Sequence, residues 1–149
     1  MAVSDETAGR KVDVLIIEDD HDDAYLLTRA LKQVSRERGL RLDIRHSVNG
    51  LDAMGEVARK DMLNHLPNVV VVDLNMPVMD GGRFLKLLRS EMRLPGLRAV
   101  VLTTSTEKPV HDEARANGAD MVFAKPSEQK ELIVIARQIL DFDADVAAV

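Results

Sequence analysis

Four short stretches of the chain carry groups that could act together: Glu18-Asp19, Asp73, Thr103 and Lys125. Each stands directly behind an apolar run. Glu18-Asp19 follows Leu15-Ile16-Ile17, Asp73 follows Val69-Val70-Val71-Val72, Thr103 follows Val100-Val101-Leu102, and Lys125 follows Met121-Val122-Phe123-Ala124. Carboxylates crowded together repel, so a proton or a cation must sit between them. Oxygen donors favour a hard cation, and a few carboxylates completed by water suit Mg²⁺. Beside such a cation Asp73 stays ionised and can attack phosphorus, giving an aspartyl-phosphate. The cation and Lys125 would offset charge on the phosphoryl oxygens during in-line transfer. Thr103 would donate a hydrogen bond to the new phosphoryl group. One acid behind a strand is often a turn former. Three acids, a hydroxyl and a lysine at strand ends are a different matter, because packing gives no reason to collect them.

The elements that must position these groups are legible from periodicity. Four consecutive valines at 69–72 read as a strand buried on both faces. Val12 to Ile17, Ala99 to Leu102 and Met121 to Ala124 read as further buried strands. Leu40, Leu42, Ile44 and His46 alternate with Arg41, Asp43 and Arg45, as in a half-exposed edge strand. Between the strands run helical stripes. The first is Ala24, Leu27, Ala30, Leu31 and Val34, with Asp22 or Asp23 as its cap and Gly39 as its stop. The second is Leu51, Met54, Ala58 and Met62, after the Asn49-Gly50 turn. The third is Phe84, Leu85, Leu87, Leu88 and Met92, stopped by Pro95-Gly96. A weak fourth runs from about Lys108 to Asn117, anchored by Val110 and Ala114. The fifth, capped by Ser127, carries Leu132, Ile135, Ala136 and Ile139. Strict alternation of strand and helix predicts a parallel sheet covered on both faces. All strand C-termini then share one edge, where ligands of such sheets bind, and the four polar stretches converge there.

Bulk properties narrow the function. The 149 residues fit one domain, and 46% hydrophobic with 30% charged residues is a soluble globular composition. A net charge of −5 argues against nucleic acid and against a membrane surface as partner. With no cysteine, thiolate chemistry and Cys-based zinc sites are excluded. No apolar run reaches spanning length and the start lacks a signal-peptide core, so a cytoplasmic location is expected. We read 1–11 as a flexible tail, 12–140 as the domain and 141–149 as a second tail. The histidines, at 21, 46, 65 and 111, are scattered without metal spacing and read as surface residues.

The motifs Leu15-Ile16-Ile17-Glu18-Asp19, Val72-Asp73-Leu74-Asn75-Met76-Pro77 with Asp80-Gly81, Leu102-Thr103 and Lys125-Pro126 resemble those of the receiver domain of two-component response regulators. The resemblance covers Val12 to about Leu140. It implies a flavodoxin-like (βα)₅ sheet of strand order 2-1-3-4-5. It further implies that Asp73 is the phosphoacceptor, Thr103 the switch hydroxyl and Lys125 the phosphoryl-binding lysine. Mg²⁺ would be held directly by Asp19 and Asp73, by Asn75 through its backbone carbonyl, and by Glu18 through water. Lys125–Pro126 would be a cis peptide. The implied partner is a sensor histidine kinase, and the protein is at most a catalyst of its own phosphorylation and slow dephosphorylation. The Thr103-Thr104-Ser105 run and the long second helical segment are similar to small stand-alone receivers that serve phytochrome-type kinases. Such receivers pair through the fourth helix, fifth strand and fifth helix, where Phe142 and Val146 could extend the interface. Two positions depart from the family pattern. Val122 stands where a switch aromatic is usual, with Phe123 one residue on, facing the other way. Thr104 replaces a smaller residue and would narrow access to the phosphoryl group. Other readings are a phosphorylation-independent receiver, an aspartyl-phosphate phosphatase and a flavin binder. The phosphatase lacks its second acid at Asn75, and the acids behind the first strand would repel a flavin phosphate.

Overall fold

The computed structural model describes residues 9–141. In chain order the elements are β1 (Lys11–Ile17), α1 (His21–Arg38), β2 (Arg41–Ser47), α2 (Gly50–Met62), β3 (Val69–Val72), α3 (Gly81–Lys86), β4 (Arg98–Thr103), α4 (Lys108–Ala116), β5 (Met121–Ala124) and α5 (Gln129–Ile139). The strands form one parallel sheet of order β2-β1-β3-β4-β5, a flavodoxin-like arrangement with the alternating strand β2 at its edge.

Period-two alternation divides the strand side chains between two cores. Val12, Val14, Ile16, Val69, Val71, Val100 and Leu102 pack with Leu27, Leu31 and Val34 of α1 and with Leu132, Ile135 and Ile139 of α5. Leu15, Ile17, Val70, Val72, Val101 and Val122 face the other way, onto Ala53 and Val57 of α2, Phe84, Leu85 and Leu88, and Ala114 of α4. Each of the four valines of β3 is buried, as a central strand requires. Among the described residues no helix is long and apolar enough to cross a membrane.

Several local expectations are corrected. The N-cap of α1 is Asp20, whose carboxylate accepts from the Asp22 and Asp23 amides at 2.9 and 3.1 Å. That leaves the Asp22 and Asp23 side chains free of capping duty. In α2 the buried face is Gly50, Ala53 and Val57, while Leu51 and Met62 of the expected stripe are exposed. Gly50 lies against Met79, whose carbonyl oxygen a Cβ there would strike, while Ala53 and Val57 join the core with Leu15 and Val70. Helix α5 starts behind Glu128 without a side-chain cap, so Ser127 does not cap it. All peptide bonds described are trans, Lys125–Pro126 included. Phe142 and Val146 lie outside the described residues.

The third helix is also shorter than its stripe suggests. After Lys86 it widens into a π turn over Leu87–Glu91, closed by the Met92 amide on the Leu87 carbonyl at 2.9 Å. The Ser90 hydroxyl donates to the Lys86 carbonyl at 2.6 Å, competing with the regular ladder there. The widened turn carries Arg89 across the base of the sheet. Its guanidinium donates to the carbonyls of Leu94, Leu97 and Gly118 and to the Asp120 carboxylate, at 2.5 to 3.1 Å. Asp120 in turn accepts from the Ala99 amide at 2.9 Å. Gly118 has φ +118°, and a Cβ there would stand 2.5 Å from Arg89 Cγ. Gly118→Ala is therefore expected to lower unfolding free energy by about 1–3 kcal/mol. In an Arg89→Ala background the extra cost should shrink, because the clash is gone and only the left-handed φ remains. A double-mutant cycle by urea denaturation checks this, and strictly additive costs would contradict it.

Candidate functional site

The C-terminal edge of the sheet brings most of the expected groups together. Glu18 and Asp19 leave β1 and Asp73 leaves the adjacent β3. One carboxylate oxygen from each lies within 4.8 Å of the others, a set that could hold a metal ion. Glu18 and Asp73 are only 5% and 6% exposed, whereas Asp19 is open to solvent. Two hard, buried donors beside an exposed one suit a hydrated hard cation. The Asn75 backbone amide bonds the Asp73 carboxylate, and the Asn75 side chain is exposed. Gly81 opens α3 directly beneath. A Cβ there would run into the Asp73 carbonyl oxygen and within 2.8 Å of Val72 Cγ1, so only glycine lets α3 start so close to the strand end.

Lys125 enters from β5. Its ammonium donates to Glu18 Oε1 at 2.6 Å and to Asp23 Oδ2 at 2.8 Å, and it stands 3.8 Å from Asp73 Oδ1. Thr103 ends β4 and is fully buried. Its hydroxyl oxygen accepts from the Ser105 amide at 3.2 Å, and its carbonyl accepts from the Lys125 amide at 2.6 Å. Ser105 continues outward: its carbonyl meets His111 Nε2 of α4 at 2.7 Å. Val122 and Phe123 pair in unbroken register with Val101 and Leu102. Val122 therefore packs on the α2–α4 side and Phe123 on the α1–α5 side, with no bulge to exchange them.

Sequence reasoning missed two features. Asp23 was read only as a possible helix cap, yet it is a direct partner of Lys125. The signal was available: α1 begins three residues behind Glu18, so its first turn returns over the strand end. His21 and His46, far apart in sequence, stand edge to face with ring centres 5.6 Å apart, and His46 Nε2 lies 2.7 Å from the Glu18 carbonyl.

The electrostatics follow from burial. Desolvation pushes the Glu18 carboxyl up to about 7; the Lys125 hydrogen bond opposes this and the neighbouring Asp73 charge adds to it. Asp73 is likewise raised by burial, against the pull of Lys125. Burial works against the Lys125 charge, but hydrogen bonds to Asp23 and Glu18, with Asp73 nearby, outweigh it and hold the ammonium above its ordinary range. A carboxyl raised in the folded state keeps its proton where the unfolded chain has lost it. Between the ordinary value of 4.5 and about 7, stability therefore falls as pH rises. In EDTA, unfolding free energy should drop by roughly 1–3 kcal/mol from pH 5 to 7.5, and Glu18→Gln should remove most of that slope. Urea denaturation at constant ionic strength measures both, and parallel pH profiles would contradict the assignment.

Comparison with known proteins agrees with this geometry. The chain is 31% identical over 116 residues to the "Probable chemotaxis protein CheY" of Rhizobium etli, covering 78% of this chain and 82% of that one. It is 35% identical over 77 residues to response regulator Rre1 of Synechocystis, over 52% of this chain but only 33% of Rre1, so it spans about a third of that relative. The crystal structure of the Mn²⁺-bound form of response regulator Rcp1 superposes with TM-score 0.73 at 25% identity, over 88% of this chain and 93% of that one. RPA3017, a response regulator in red light signalling of R. palustris, gives TM-score 0.73 at 26% identity, over 88% and 92%. The phosphorylated cyanobacterial phytochrome response regulator RcpA shares the fold with TM-score 0.76 over 93% and 96% of the two chains, at 23% identity. Residues 14–137 match the family model of the response regulator receiver domain. An acid cluster at one edge of a 2-1-3-4-5 sheet, faced by a lysine from the last strand, thus has its family: this chain belongs to the response regulator receiver domains.

Proposed function

We propose that residues 12–140 work as the receiver of a two-component phosphorelay, with Asp73 taking a phosphoryl group from a histidine kinase. The observation that carries this reading is the convergence on Asp73: a metal-capable acid set on one side and the Lys125 ammonium on the other. Asp73 is the acid that the receiver motif assigns as phosphoacceptor, and it stands behind the central strand β3 with Glu18 and Asp19 on one side and Lys125 at 3.8 Å. A carboxylate oxygen of Asp73 attacks phosphorus, the bond from phosphorus to the donor nitrogen breaks, and the departing imidazole takes a proton from solvent. Glu18, Asp19 and Asp73, with the Asn75 carbonyl, would hold Mg²⁺. When bound, Mg²⁺ supplies positive charge against the phosphoryl oxygens. Lys125 gives a point charge on the same oxygens. The Thr103 hydroxyl turns from the Ser105 amide to donate to the phosphoryl group, and the β4–α4 connection follows through Ser105 and His111.

The likeness to RPA3017, a response regulator in red light signalling, supports a light-responsive kinase of the phytochrome type as the donor. Pairing of two copies through α4, β5 and α5 is part of this reading. A receiver that works without phosphorylation is the competing reading.

Intact mass after incubation with acetyl phosphate and Mg²⁺ separates the two. One added phosphoryl group is expected in the wild type, and none in Asp73→Asn or in EDTA. An unmodified wild type, beside a standard receiver that is modified, would favour the phosphorylation-independent module. Thr104 is exposed beside the switch hydroxyl, so Thr104→Ala should shorten the life of the adduct several-fold; an unchanged decay would remove Thr104 from the site.

A further inference from the structure

An ammonium has three hydrogens to donate. Lys125 uses one on Glu18 at 2.6 Å and one on Asp23 at 2.8 Å, while Asp73 Oδ1 at 3.8 Å lies beyond hydrogen-bond reach. These partners are not equivalent. Glu18 and Asp73 both belong to the metal-capable set, and Asp23 does not. Counting side-chain atoms alone, Lys125 is 15% exposed, Glu18 and Asp73 are each 7% exposed, and Asp23 is 40% exposed. The lysine is therefore gripped from the buried side by an acid that a cation would compete for, and from the open side by one that it would not. Asp23 is also the side chain of the first turn of α1 that reaches back over the site. Its own amide is satisfied by Asp20, so its carboxylate has no capping duty.

We propose that Asp23 is a positioning residue that parks the Lys125 ammonium short of Asp73, so that an arriving phosphoryl group competes with Asp23 for the position of the lysine. The inference rests on the reading of Asp73 as phosphoacceptor. Its content is a competition for one cation. A carboxylate at 2.8 Å is a charge-assisted partner of the same kind as a phosphoryl oxygen, and it is present before and after transfer. While the phosphoryl group is on Asp73, Asp23 draws the lysine away from it and exposes it to water. When the phosphoryl group leaves, Asp23 recaptures the lysine and keeps it off the nucleophile. Asp23 thus sets how long the phosphorylated state lasts, without touching phosphorus.

The test compares wild type, Asp23→Asn, Asp23→Glu and Asp22→Asn. Asp22→Asn removes the same charge one residue away, from an exposed side chain. Asp23→Asn keeps the shape and the Asp20 cap, and thermal melting confirms that each variant is folded. Two readouts are taken. In metal-free protein, trace labelling with acetic anhydride and peptide mass spectrometry reports the reactivity of the Lys125 amine. In acetyl phosphate-loaded protein, intact mass follows decay of the adduct. For Asp23→Asn, Lys125 labelling should rise several-fold and decay should slow at least threefold, on the order of 0.7 kcal/mol in the barrier. Asp23→Glu should return both toward wild type, and Asp22→Asn should leave both unchanged. A folded Asp23→Asn protein that loads on Asp73 and decays at the wild-type rate overturns the role of Asp23 and leaves the phosphoacceptor reading standing. Equal effects from Asp22→Asn overturn it too, since only net charge would then matter. An unphosphorylated wild type overturns the parent reading and this one with it.

Discussion

Crowding of like charge at one sheet edge is the constraint on which the rest depends. A parallel sheet of order 2-1-3-4-5 sets β1 beside β3, and so delivers Glu18, Asp19 and Asp73 to one place. Two of these acids are nearly sealed from water. A pair of buried carboxylates is unstable unless one is protonated or a cation lies against them. Lys125 meets that need in the metal-free molecule, by way of Glu18 and Asp23. The surrounding structure is arranged to let it. Gly81 allows α3 to start close under Asp73, and the Thr103 carbonyl fixes the backbone from which Lys125 departs. A lysine placed this way is neither a fixed salt bridge nor a free side chain. It is a cation with two unlike partners: Glu18 belongs to the metal-capable set and Asp23 does not.

The fold was legible because its signals are strong and local. Four valines in a row do not suit a helix or an exposed strand, and helical stripes separated by short turns leave few topologies. The meeting of the acids and Lys125 was legible for the same reason: each stands one or two residues behind a strand, where position along the chain fixes position in space. What failed was set by details that periodicity does not carry. The stripe of α2 falls on large residues in the sequence, yet the buried face is Gly50, set against Met79, with Ala53 and Val57. The cap of α1 shifted back to Asp20, because the helix begins earlier than its first buried residue. The π turn after Lys86 depends on a serine hydroxyl and on where Arg89 finds acceptors, and neither is visible until β4 and β5 are in place. Asp23 and the His21–His46 pair were missed because their partners are separated in sequence by long intervals that only the sheet closes.

Val122, at the position where an aromatic was expected, and its neighbour Phe123 show how little sequence distance need matter. Val122 and Phe123 are adjacent, yet the pleat sends one to each core. The ring faces α1 and α5, and the layer with α4 holds only the valine. On the α4 side, contacts near Thr103 run instead through polar atoms, from the threonine hydroxyl to the Ser105 backbone and on to His111.

The Arg89 clamp has a mechanical consequence. It fastens the connections that enter β4 and β5, and the second of these is where α4 ends. The other end of α4 starts at Glu107 without a side-chain cap, on the same edge as Thr103, and only Ala114 near the fastened end is buried. Such a helix is a lever with its fulcrum at the far rim of the sheet. Its nine residues make an arm of about 13 Å, so each 5° of tilt moves the free end by roughly 1 Å. A small rearrangement at the Thr103 end is thereby expressed as a displacement of the outer surface, while the base of the molecule stays still.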